Sequence, residues 1–279
     1  MKKKTCKSSV TSVTKINAKE KERLGAKVLL LDIETSPLVG YAWKTYDTNL
    51  IKVVKDFEVL CVAWKWVGDK KPSVLGQIDL LEEHYPSEYL LMEKVHELLE
   101  MADIVIAHNG DAFDIKKINA RLAFWGFQPP SPYKTVDTYK AAKHHFAFTS
   151  NKLDRLGETL EVGRKLEHSG FDLWERCMNW DRKAWKEMKE YNKQDVELLE
   201  GVYEVLRPWM PRHPNMAVYS HQEGVVCGHC GSIHMQSRGY YHTNSGTYQR
   251  YKCNSCHGWS RLRKKSVGVQ TKAIVCDRR

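Results

Sequence analysis

No run in the 279 residues approaches the roughly 18 consecutive apolar side chains that a membrane-spanning helix needs. No apolar stretch follows the cationic start Met1–Lys7 either, so the expected location is the cytosol or nucleoid rather than a secretory route. There is no internal repeat, which excludes a solenoid. The chain is too long for a disulfide-held miniprotein. At 42% hydrophobic residues with nine Trp, it is too apolar for a disordered one. Acid is scarce at both ends. Residues 1–27 hold nine Lys/Arg against two Glu, and residues 224–279 hold ten against one Asp. With a net charge of +10 overall, residues 28–223 must then sum to −6. Basic ends suit a polyanion such as nucleic acid. An acidic body does not, unless some of its carboxylates hold metal.

These shifts divide the chain into a basic arm (1–26), a large domain (27–210), a linker punctuated by Pro211 and Pro214 (211–223), a small cysteine-bearing domain (224–265) and a basic tail (266–279). In the arm, Asn17 could cap a short helix that stops at Gly25. Val28–Leu31 is the continuous apolar run of a strand buried on both faces. Glu58–Val67 and Ser73–Ile78 read as further strands. Ser87–Met101 reads as an amphipathic helix capped by Ser87, and Ile104–Ala107 as a second buried strand. Helices follow at about Phe113–Trp125, which Gly126 ends, and at about Asp181–Arg207. The order implies an α/β (α+β) layer with a mixed sheet flanked by helices.

Three places break the rule that core faces are apolar. The buried strand runs into Asp32-Ile33-Glu34, and strand alternation puts Asp32 and Glu34 on one face. The helix after Asn109 has a stripe at Ile118, Leu122 and Trp125, and one turn back from Ile118 lies Asp114. The long helix has a stripe at Trp185, Met188, Leu199, Val202 and Leu206, whose two gaps are Tyr191 and Asp195, spaced i, i+4. A core-facing carboxylate is costly unless paired or metal-bound, and each acid alone fits a cap or a salt bridge. All of them together fit hard divalent ions, Mg²⁺ or Mn²⁺. Two such ions about 4 Å apart clamp the attacking and leaving oxygens of a phosphodiester displacement.

Asp32-x-Glu34, Asn109-x-x-x-Phe113-Asp114 and Tyr191-x-x-x-Asp195 resemble the three motifs of the DEDD exonuclease superfamily, Tyr subclass. Leu31-Asp32-Ile33-Glu34-Thr35 and Tyr191-Asn192-Lys193-Gln194-Asp195-Val196 are similar to the proofreading domains of B-family DNA polymerases and to stand-alone ribonuclease H-like nucleases of phages and bacteria. The resemblance covers about residues 27–207. It implies a ribonuclease H-like fold and 3′→5′ exonuclease action on DNA or RNA, with DNA favoured. It also implies two Mg²⁺ or Mn²⁺ ions. Asp32, Glu34 and Asp195 would hold one, Asp32 and Asp114 the second, and Tyr191 would orient the attacking water. Thr35, Asn109 and Phe113 would line the site, or serve as cap, turn and core residues. Asp137 reads as a helix cap. His144, His145 and His168 are candidates for phosphate contact, and Trp43 for base stacking. A non-catalytic nucleic-acid-binding adaptor and a junction- or flap-cutting endonuclease are the competing readings.

Cys227-x₂-Cys230 and Cys253-x₂-Cys256, separated by 22 residues, have the spacing of a four-thiolate Zn²⁺ site. The alternating segment between them fits the hairpins of a zinc ribbon. Four thiolates fill the coordination sphere, so this zinc should be structural; His229 and His257 are spare donors. Arg238, Arg250, Lys252 and the run Arg261-Leu262-Arg263-Lys264-Lys265 lie among tyrosines and Trp259. Such residues grip phosphate and stack bases, although a protein partner fits the ribbon too. Cys6, Cys61, Cys177 and Cys276 have no metal spacing and read as free thiols.

Overall fold

The computed structural model describes residues 25–46, 49–81, 84–166, 169–244 and 246–264. The capped helix read in the arm, His168, Cys6, Cys276, Lys265 and the basic tail lie outside the described residues.

Five strands build the main sheet in the order β5-β4-β1-β6-β7. They are β1 (Val28–Thr35), β4 (Val59–Trp66), β5 (Ser73–Gly76), β6 (Ile104–Ala107) and β7 (Lys134–Asp137). The β1/β4 and β4/β5 pairs are antiparallel, and the β1/β6 and β6/β7 pairs parallel. The mixed sheet expected from the element order is the one formed. β1 lies at its centre, buried on both faces, which is why Val28–Leu31 shows no alternation. A small antiparallel hairpin, β2 (Val39–Tyr41) with β3 (Lys52–Lys55), leaves the end of β1.

Two cores flank the sheet. Leu29, Leu31 and Ile33 point to one side, where they meet α1 (Ser87–Met101) and α2 (Asp114–Trp125) through Leu91, Val95, Leu98, Ile118 and Leu122. Val28 and Leu30 point to the other side, toward α6 (Arg182–Leu206) at Val196, Leu199 and Val202, joined by α3 (Thr138–His145) and α4 (Leu153–Thr159). Helix α5 (Phe171–Met178) packs beside α6, and Leu173 and Cys177 join Trp185 and Met188 in a third cluster. All five residues of the expected α6 stripe are buried. Among the described residues, no helix is long and apolar enough to cross a membrane.

Helix capping differs from expectation at one end and agrees at two others. Pro86, not Ser87, precedes α1, and the Ser87 hydroxyl donates instead to Gln77 Oε1 at 2.9 Å. Ser87 is the first helical residue, so its side chain is past the position from which it could accept from the first-turn amides. Asp137 does cap α3, accepting from Lys140 N at 3.1 Å. Gly126 ends α2 in the left-handed region at φ 81°. One buried acid absent from the sequence reading, Glu88, is satisfied where it stands. It accepts from Arg121 Nε (2.7 Å), Trp125 Nε1 (3.0 Å) and Val59 N (2.9 Å).

After α6 the chain does not run free. Met210 is buried in the α6 core, and Met216 and Tyr219, from the stretch expected to be a linker, pack against it. His213 Nε2 meets Tyr203 Oη at 2.9 Å. Beyond this lies a three-stranded antiparallel sheet in the order β10-β9-β8: β8 (Met235–Thr243), β9 (Gly246–Cys253) and β10 (Trp259–Arg261). The hairpin expected between the cysteine pairs is β8 with β9; β10, after the second pair, was not expected.

Candidate active site and cysteine cluster

Asp32 and Glu34 extend the row of Val28 and Leu30 along β1, so they inherit its direction toward α6. The β1/β4 pairing slips between Glu34 and Thr35, ending the regular ladder where the acids emerge. From α6, Asp195 faces them. Oxygen atoms of Asp32, Glu34 and Asp195 all lie within 4.8 Å of one another. Asp195 is buried, Asp32 and Glu34 partly so.

Asp114, the first residue of α2, is also buried but stands outside that group of three. Its Oδ1 accepts from Ile33 N at 3.2 Å, which fixes it to the β1 backbone between the two acids. Its charge nevertheless reaches Asp32. Burial, then Asp114, then Asp195 and Glu34 hold the Asp32 carboxyl far above its usual range. Burial and then Asp195 push Glu34 up to about 8, and burial pushes Asp114 up to about 7. Three carboxyls that resist ionising, gathered around a fourth in Asp195, mark a site short of positive charge.

One cation is present that no pattern in the chain pointed to. Lys165, from the segment between α4 and α5, donates to Asp195 Oδ2 at 2.5 Å and to Tyr191 Oη at 3.0 Å. Burial opposes its charge, but Asp195 and Tyr191 outweigh that and raise its pKa. Tyr191 and Asp195 are thus brought together, as their spacing requires, and bridged. Burial, then Asp195, push the Tyr191 phenol up to about 12.

Two further side chains went unread. Asn192, fully buried, donates from Nδ2 to Asp32 Oδ2 at 2.6 Å and accepts from Cys61 Sγ at 3.5 Å. Cys61 lies opposite Glu34 in the β1/β4 register, so the thiol, amide and carboxylate form one chain of contacts beneath the site. Trp174 hydrogen-bonds Glu34 and meets the Tyr191 ring edge-on at 6.4 Å.

The remaining candidates sort as follows. Thr35 Oγ1 accepts from Lys117 Nζ at 3.1 Å, and that ammonium also lies over the Phe57 and Phe113 rings. Asn109 is a turn residue at φ 63°; its N–H donates to Asp137 Oδ1, and its carbonyl accepts from Ala112 and Phe113. Phe113 stands half-exposed at the start of α2. An apolar cavity of about 410 Å³ opens between Thr35, Ser36, Pro37, Lys117, Phe171 and Trp174, beside Glu34. His144 and His145 end α3 and line a separate cavity with Asp111, Asp137, Lys140, Lys143 and Arg212; none of Asp32, Glu34, Asp114 and Asp195 lines it. Trp43 is 89% exposed, in the connection between β2 and β3.

In the small sheet, the four sulfurs of Cys227, Cys230, Cys253 and Cys256 lie within 4.8 Å of one another. Cys227–Cys256 and Cys230–Cys253 are 3.6 and 3.7 Å apart. A tetrahedral zinc site with arms of about 2.3 Å has sulfur–sulfur edges of about 3.8 Å. Backbone N–H groups of His229 and Ser255 donate to Cys227 and Cys253 sulfur at 3.4 Å, as turns that favour thiolate do. The donor set therefore fits zinc. The histidines stand outside it: the His229 ring lies tilted 6.1 Å from that of His213, and His257 follows the second cysteine pair at φ 61°. The carboxylate group fits a divalent ion on the same kind of test, being all hard oxygen and short of positive charge.

Residues 29–207 match the RNase H superfamily. Over 162 residues the chain is 25% identical to a DNA polymerase III of PolC type from Ureaplasma parvum serovar 3, covering 53% of this chain and 10% of that protein. The chain thus corresponds to about a tenth of that relative's length. A family B DNA polymerase structure from the hyperthermophilic archaeon Pyrobaculum calidifontis aligns with a TM-score of 0.48 at 17% identity, over 66% of this chain and 25% of that one.

Proposed function

The chain belongs to the RNase H superfamily, and on that premise we propose that it is a metal-dependent nuclease hydrolysing phosphodiester bonds at Asp32, Glu34, Asp114 and Asp195. The observation that carries this reading is the convergence of Asp32, Glu34 and Asp195 within 4.8 Å, at the end of a strand whose preceding residues are wholly apolar. Divalent ions bound there would offset the developing phosphate charge and lower the pKa of water.

The chain's own residues have separable tasks. Asp32, Glu34 and Asp195 would hold one ion, and Asp32 with Asp114 the second. Asn192 and the Ile33 amide fix the directions of Asp32 and Asp114. Tyr191, with its phenol near 12, stays protonated at neutral pH, so it orients water rather than taking its proton. Lys165 keeps Tyr191 and Asp195 in register. The cavity beside Glu34 offers Phe171 and Trp174 to an unpaired terminal base. That feature and the motif resemblance support attack from a 3′ end. A structural Zn²⁺ on the four cysteines would hold the small sheet together.

The test is incubation of purified full-length protein with Mn²⁺ or Mg²⁺ and end-labelled single-stranded DNA, duplex and RNA. A ladder shortening one nucleotide at a time from the 3′ end is expected. Internal cuts would replace exonuclease by endonuclease action. No cleavage of any substrate, by protein shown to be folded and to bind the ion, would overturn the enzymatic reading.

A further inference from the structure

The strand register of the small sheet sorts its side chains in a way the sequence conceals. Directly opposed residues share a face. Lys252 opposes Trp259, Arg250 opposes Arg261, and Tyr248 opposes Tyr241, so these six occupy one face. The ring contacts agree: the Arg261 guanidinium lies 4.3 Å from the Tyr248 centroid and 5.6 Å from that of Tyr241, and Arg250 lies 4.7 Å from Trp259.

The other face is of different chemistry. Gln249 donates to Ser237, His242 pairs with Thr247, and Met235 with Cys253 continues that face into the cysteine cluster. The strand cations that the register assigns to a face thus all stand on the face opposite that of Met235 and Cys253. Tyr240 and Tyr241, adjacent in β8, alternate to opposite faces, and the register shift between Ser237 and Tyr240 decides which of them joins the cations: Tyr241, opposite Tyr248.

The segment that carries these cations supplies no acid to balance them. Residues 224–264 contain no Asp or Glu, and among the described residues no ion pair reaches Arg250, Lys252 or Arg261. Trp259 and Tyr241 remain about half exposed, at 48% and 47%. Unpaired cations set between exposed rings fit an anion that also carries flat apolar groups. A single nucleic-acid strand is such a partner, since its bases are free to stack while its phosphates meet guanidinium and ammonium. A duplex hides its base faces and would leave the rings unused. An acidic protein would match the charge but not the rings.

We infer that the Arg250–Lys252–Arg261 face of the small sheet, with Tyr241, Tyr248 and Trp259, is a binding site for single-stranded nucleic acid, separate from the carboxylate cluster. The inference rests on the sheet alone and stands whether or not the chain hydrolyses what it binds.

The test uses the full chain with one zinc per molecule and no added divalent ion, so hydrolysis plays no part. Fluorescence anisotropy is read with 12-nucleotide oligo-dT, oligo-rU and a hairpin duplex at 50 and 200 mM salt. One or both single strands should bind tighter than the duplex. Tyr241→Ala and Trp259→Ala should each weaken binding at least about fivefold, whereas Tyr240→Ala, on the other face, should leave it within about twofold. Arg261→Gln, an exposed position that does not threaten the fold, should lower the slope of log affinity against log salt by about 0.7. Equal effects of Tyr240→Ala and Tyr241→Ala would overturn the inference. So would tighter duplex binding, an unchanged slope in Arg261→Gln, or competition by a poly-glutamate peptide as effective as by oligo-dT.

Discussion

Replacing Glu34 by Gln tests the electrostatics of the site without reference to turnover. In the folded chain Glu34 is held near 8 by burial, with Asp195 and Asp114 adding to it, against an ordinary value of 4.5. A carboxyl whose pKa rises on folding binds its proton more tightly in the folded state. Its contribution is fully present below the unfolded value and is lost as pH rises toward 8. Each tenfold in proton affinity is worth about 1.4 kcal/mol, so the loss between pH 4.5 and 8 is on the order of 3–5 kcal/mol, less whatever relaxation and partial exposure recover. Half-buried His108 and His213, both lowered to about 4, contribute with the opposite sign between about pH 4 and 6.5. They cancel when wild type and variant are compared at one pH. Gln cannot ionise, so Glu34→Gln should match wild type near pH 5 and exceed it by a few kcal/mol at pH 8.5. The assay is urea unfolding of zinc-replete, otherwise metal-free protein at pH 5, 7 and 8.5, repeated with Mg²⁺. With Mg²⁺ the order should reverse at pH 8.5, because the wild type gains more from ion binding. A variant equally destabilised at every pH without Mg²⁺ would refute the reasoning, as would an unchanged order with it.

Asp32→Ala should reduce hydrolysis by orders of magnitude while leaving the metal-free fold as stable or more so; activity within tenfold of wild type, in a nuclease-free preparation, would sink the site. Tyr191→Phe keeps the buried ring and loses only the hydroxyl, so it should cost about 10²-fold in kcat, near the low end for an acid–base partner; a loss equal to that of Asp195→Ala would show that the phenol does more than orient water. Lys165→Met removes the ammonium bonded to Asp195 and Tyr191, so it should lower the midpoint concentration of Mg²⁺ or Mn²⁺ while also lowering kcat, read from metal titrations of rate; a lower midpoint with an unchanged kcat would make the lysine a placeholder for the ion.

What the sequence made legible was what periodicity controls. Asp32 and Glu34 stood out because they interrupt an apolar strand at period two, and Tyr191 and Asp195 because they fill gaps in a helical stripe. Lys165 did not, because the segment between α4 and α5 is irregular and offers no period to violate. Asn192 is one position from Tyr191 and off the stripe; it is buried because α6 is covered on a second flank by β4, through Cys61. Asn109 was read as lining the site or as a turn residue, and its backbone does turn, at φ 63°, bonding Asp137. The β2–β3 hairpin was missed because Lys52–Lys55 is exposed throughout and shows no buried face. In the small sheet the cysteine spacing was plain, but the separation of faces was not. A register shift after Ser237 breaks the alternation that reading by twos depends on.

The two unbalanced charge clusters answer each other only through a third party. The carboxylates of Asp32, Glu34 and Asp195 have Lys165 as their near cation, and the sheet cations Arg250, Lys252 and Arg261 have no acid within residues 224–264. If either cluster served folding alone, the chain's own opposite charges would be the cheaper partner, yet no ion pair joins them among the described residues. A phosphate chain relieves the sheet and is repelled by the carboxylates. Divalent cations relieve the carboxylates and are repelled by the sheet. A strand held by the sheet therefore enters the carboxylate site at little electrostatic cost only where cations already offset those acids. That ordering makes productive binding, unlike binding to the sheet, depend on the divalent ion.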